Sequence, residues 1–199
     1  MDVKAKRDEW EIACQQVLLQ DSSVFSIQWM VVPRGCTATL TPPFLLDKYL
    51  AHIRRFTCAL IRPAKTAQGI EFRLFVTGLS LISFCLPSCR KDETGEALAL
   101  DICGGLLVQR QEPRKGELSF QCVAVPEGVK ITLQLSDYSP LLLGGCKPSK
   151  LRKLLYRLTQ AYIHKIVTVK FLARIYRELT GQDVCVRVAR VKAREGEET

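Results

Sequence analysis

No run of apolar residues in this 199-residue chain reaches the roughly 18 to 20 that a bilayer-spanning helix requires. The opening stretch, MDVKAKRDEWEIAC, lacks the apolar core of a secretory signal, so a cytoplasmic protein is expected. Histidine is scarce, with only His52 and His164, which leaves little imidazole for a metal or acid–base site. There is no phosphate-loop glycine pattern, dinucleotide fingerprint, H-E-x-x-H or G-x-S-x-G. Internal repeats and low-complexity segments are also absent. We therefore expect no catalytic residue, no metal and no cofactor. The sequence does not name a reaction.

Cysteine, in contrast, is plentiful, with nine residues. The odd count, wide spacing and missing export signal argue against a disulfide framework. Most sit among apolar residues and are expected to be small buried hydrophobes. Cys85 and Cys89 form the closest pair, but no second pair accompanies them to complete a zinc site.

The hydrophobic fraction of 47% and the charged fraction of 25% are those of a globular protein with a sizeable core. The most organised stretch runs from Ser149 to Thr180. Leu151, Leu155, Leu158, Tyr162, Ile166, Val169, Leu172, Tyr176 and Leu179 recur at helical spacing. Ser149 suits the N-cap and Gly181 the C-terminal stop. Such a helix would be roughly 48 Å long at about 1.5 Å per residue. Between Lys147 and Thr180 nine basic residues face one acid, a balance of +8 within a formal net charge of +9. Ile163, Val167, Phe171 and Ile175 form a second apolar strip, which calls for a cover such as an N-terminal helix, the tail or a second subunit in a homodimer.

The rest of the chain suggests an N-terminal helical extension over 1–23, a single α+β domain over 24–181, and an edge strand with a frayed tail over 182–199. Residues 3–20 have helical spacing at Trp10, Cys14, Val17 and Leu18. Strands are expected at 24–32, 36–41, 70–77, 79–86, 97–103, 106–111, 118–125, 129–135 and 184–191. Gly104-Gly105 would turn a hairpin. Thr41-Pro42 opens a shorter helix with Leu45, Leu46, Tyr49, Leu50, Ile53 and Phe56 on one side. Consecutive strands with tight turns imply an antiparallel sheet of about six to eight strands, wrapped on the long C-terminal helix.

This order of strands, a helix, about six further strands and a long C-terminal helix resembles the helix-grip fold of START-type, pollen-allergen-like and polyketide-cyclase-like proteins. The resemblance spans 24–180 and rests on element order. It implies a curved sheet around the last helix with an apolar ligand between them.

Two functional readings follow. In the first, a non-catalytic protein holds an apolar or amphipathic small molecule between sheet and helix. Leu155, Leu158, Tyr162 and Ile166 would line the cavity, and Lys165, near the centre of the apolar stripe, would meet a polar head. In the second, Lys147, Lys150, Arg152, Lys153 and Arg157 contact nucleic acid or an anionic membrane surface. An enzyme with a cavity is the least favoured reading, because no nucleophile and base are brought together.

Overall fold

The computed structural model describes residues 9–91, 93, 95–109, 116–144, 151–152, 156, 162–182 and 185–198. The protein is α+β, with a large, mostly antiparallel sheet and two helices. In chain order the elements are β1 (Glu9–Leu18), β2 (Val24–Pro33), α1 (Pro42–Phe56), β3 (Ile61–Thr66), β4 (Gly69–Leu74), β5 (Ser80–Phe84) and β6 (Ser88–Lys91). They continue with β7 (Gly95–Gly104), β8 (Glu117–Val125), β9 (Gly128–Tyr138), α2 (Tyr162–Thr180), β10 (Cys185–Arg190) and β11 (Glu197–Glu198). Leu151, Arg152 and Tyr156 are helical as well.

Eleven strands join in the order β10-β1-β2-β9-β8-β7-β5-β4-β3, with β11 on β1 and β6 on β7. The described residues exceed the expected six to eight because β1 carries a helical spacing, while β3, β6 and the two-residue β11 lie where no strand is expected. The strand expected at 36–41 is not formed, nor is that expected at 106–111 over its described residues, 106–109. Residues 34–36 make a 3-10 turn after β2. Leu106 and Leu107 continue past Gly105 to donate to the Ser80 and Leu81 carbonyls instead of turning a hairpin.

The N-terminal segment corrects the predicted extension. β1 is an inner strand, antiparallel to β2 and parallel to β10. Ile12 through Leu18 are buried on both faces, which erases the period-two signal of a half-solvated strand. The tail is not frayed either. The Gln15 amide donates to the Arg194 carbonyl at 2.6 Å and accepts from the Ala193 and Arg194 amides at 2.7 and 2.8 Å.

Both helices cover one face of the sheet. α1 starts where Thr41 Oγ1 accepts the Phe44 amide at 3.3 Å, with Pro42 at its first position. Its Tyr49 ring meets Phe120 of β8 and Phe171 of α2 edge-on, at 5.4 and 5.2 Å between centroids. This aromatic trio sits in a single core with Met30, Ile131, Leu133 and Leu172. On α2 the buried residues are Val167, Thr168, Phe171, Leu172, Ile175 and Tyr176. Of the strip expected to need a cover from an N-terminal helix, the tail or a second subunit, Val167, Phe171 and Ile175 belong to the protein's own core, while Ile163 is exposed. The two strips adjoin on the helix, and the sheet takes the seam between them.

Candidate functional site

Of the predicted cavity residues, Tyr162, Lys165 and Ile166 are among the described residues. Tyr162 is 60% exposed, which removes it from any internal wall. Ile166 is half-buried. Lys165 borders a space of about 50 Å³ with Cys14, Gln16, Arg190 and Glu198, room for a water or two at most. Leu155 and Leu158 lie outside the described residues, as do Lys147, Lys150, Lys153 and Arg157. Arg152 is exposed, with its guanidinium against Gly144.

His164 turns toward β2. Its Nδ1 is 3.5 Å from Ser26 Oγ. The Gln28 amide donates to the same hydroxyl at 2.7 Å and lies 3.7 Å from Cys14 Sγ. Burial lowers the His164 pKa to about 4, so the ring is neutral at pH 7. Ser26 is fully buried, and among the described residues no carboxylate orients the imidazole. The trio is a structural polar contact between sheet and helix, without the access or third partner of a nucleophile–base pair.

The cysteines are also less buried than expected. Among the described residues Cys14 and Cys122 are buried, whereas Cys58, Cys89 and Cys185 are exposed. Burial, followed by the nearby Glu96 charge, raises the Cys122 pKa to about 12, so its thiol stays protonated and unreactive.

The most distinctive concavity lies at the seam between α1 and α2. It encloses about 420 Å³, within the range of ligand sites, and is open to solvent. Its walls carry Arg55, Lys170, Arg174 and Arg177, with His52, Phe56, Ala173 and Val186 between them. No carboxylate is among these lining residues. Helical spacing explains the convergence: positions 170, 174 and 177 repeat on one face of α2, and Arg55 and Phe56 end α1 opposite them. Lys170 Nζ lies 5.5 Å from the Phe56 ring centroid. Arg55, Lys170 and Arg174 make no ion pair among the described residues.

His52 forms the floor. Its ring is 5.6 Å from that of Phe171 and 5.8 Å from that of Phe56. Its buried Nε2 has no hydrogen-bond partner. Burial, and then the Arg174 charge, lowers its pKa; Lys170 and Arg55 add to this, and the Val167 backbone opposes it. A neutral imidazole under a cluster of cations is the result. The basic stripe at 170, 174 and 177 was visible in the sequence, but its meeting with His52 and Arg55 depends on helix packing.

No protein-family model and no curated protein matches the sequence. Comparison with solved structures finds CalU16 from Micromonospora echinospora, 11% identical, with 86% of this chain and 84% of that chain covered and a TM-score of 0.31. A likeness at that level carries no argument about function.

Proposed function

We propose that the protein is a binding protein for an amphipathic anion, held in the seam between α1 and α2. The cluster of Arg55, Lys170 and Arg174, in a cleft with no acid among its described lining residues, carries this reading. Like charges gathered beside a low-dielectric wall repel one another and focus a positive potential, which a bound anion relieves. The C-terminal end of α1 opposes this with about half a negative charge, a smaller effect than the three full cations. Phe56, Ala173 and Val186 supply apolar surface for a hydrocarbon portion. The amphipathic ligand of the sequence reading is thus kept, but its place moves from beneath α2 to the side of it.

The test is calorimetric titration with dodecyl phosphate and dodecanol. Dodecyl phosphate should bind at unit stoichiometry and weaken with salt, and dodecanol should bind at least about tenfold more weakly, a difference of about 1.4 kcal/mol. The double variant Lys170→Glu, Arg174→Glu should lose phosphate binding with an unchanged circular-dichroism spectrum. Equal binding of the alcohol, or full retention in the folded variant, would refute the proposal.

A further inference from the structure

We infer that one end of the sheet is a docking surface for an anionic lipid bilayer. The surface is separate from the cleft proposed above, apart from Arg55 at their border. Leu60, Phe75, Val76, Leu79, Leu106 and Leu141 are large apolar residues between 45% and 78% exposed. Backbone hydrogen bonds bring them to one end of the molecule. Phe75 donates to the Leu60 carbonyl at 2.8 Å, and Leu74 donates to Leu79 at 2.8 Å. Leu106 donates to Ser80 at 3.0 Å, and Leu141 to Leu107 at 2.8 Å. Scattered exposed leucines need no explanation, but a group assembled from four separate segments does.

The charge around this group has one sign. Segments 54–62, 72–82, 102–109 and 139–144 contain no aspartate or glutamate. Arg54, Arg55 and Arg62 lie in the first of them and are exposed. The Arg62 guanidinium carbon stands 3.6 Å from the Phe75 ring centroid, so an apolar tip and a cation are presented together. Arg73 is excluded from the count because it pairs with Glu71 at 2.7 Å.

Shape selects the bilayer over a protein partner. Val76 stands at 78% exposure on the tip of a tight turn, closed by Gly78 donating to the Leu74 carbonyl at 2.8 Å. A projecting apolar turn with Arg62 beside it can enter the acyl boundary while the guanidinium remains among the headgroups. A groove or flat face for a folded partner would be shaped differently.

The experiment is co-sedimentation of the full chain with vesicles of phosphatidylcholine alone, or mixed with phosphatidylserine. The protein should partition onto the mixed vesicles and bind the neutral ones at least about tenfold more weakly. The double variant Phe75→Ser, Val76→Ser should lose at least about tenfold of the mixed-vesicle partition. These side chains are mostly in solvent, so the fold should survive, as thermal melting will report. As an independent readout, Val76→Trp should gain blue-shifted emission on the mixed vesicles and be quenched by brominated acyl chains, after subtraction of the native tryptophans. The inference is overturned if the native protein does not sediment, if the double serine variant partitions as the native chain does, or if the V76W emission is unmoved. A concentration-dependent dimer that the same serine variant dissolves, without vesicle binding, would assign the patch to protein contact instead.

Discussion

Replacing His164 by glutamine should flatten the acid limb of the stability curve. The ring has a pKa of about 4 in the fold, against about 6.5 in the unfolded chain. Between those values the unfolded state binds the proton and the native state does not. Stability therefore falls as pH drops from 6.5 to about 4, and this group has no effect on stability above that window. A shift of about 2.5 units at about 1.36 kcal/mol each gives about 3 kcal/mol. That is a large part of an ordinary folding stability of about 5–15 kcal/mol. Urea unfolding at pH 7, 6, 5 and 4, followed by tryptophan emission, measures it. His164→Gln can keep a hydrogen bond to Ser26 and cannot titrate. Its loss of stability from pH 7 to pH 4 should be smaller than that of the native protein by about 3 kcal/mol, whatever its stability at pH 7. His52 has a pKa shifted in the same direction, but it is present in both proteins and cancels. Parallel curves for the two proteins would refute the burial argument.

Two further outcomes follow from the packing. Phe171→Ala opens space beneath Tyr49 and His52 and should cost about 3–5 kcal/mol, read from the shift of the urea midpoint. Gln15→Ala removes the bonds at 2.6, 2.7 and 2.8 Å that hold the tail, and should cost about 1–3 kcal/mol. The same variant should be cut faster by trypsin after Lys192 and Arg194, as mass spectrometry of a short digest will show.

α1 and α2 were legible because each carries a one-sided apolar stripe and an end signal: Thr41-Pro42 opens α1, and Gly181, at a φ of 70°, follows α2. β8 and β9 were legible because apolar and polar residues alternate along most of their length. β1 was misread because Trp10, Cys14, Val17 and Leu18 fit a helical spacing, and a strand buried on both faces has no solvent side to contradict it. Its Gln15 and Gln16 looked like surface residues. The partner of Gln15 is the far tail, and that of Gln16 is Tyr156, contacts that no local pattern encodes. The site was half legible for the same reason. The cations of α2 are periodic in the sequence, whereas His52 joins them only through the packing of α1 against α2.

β1 sits between β2 and β10, with Glu9 opposite Cys185. A ribosome delivers β1 well before its parallel partner β10. Until residues 185–190 emerge, the outer edge of β1 is an unpaired row of amides and carbonyls on a buried, apolar strand, the kind of edge that invites pairing with another chain. The sheet can gain this pairing only after β10 has been made, and such distant pairing makes folding slow. A chain stopped just after α2 would keep both helices and most of the core, yet carry an open edge that leads to aggregation. β10 thus acts as a late step of vectorial folding, and its contribution is better measured in soluble yield than in melting temperature.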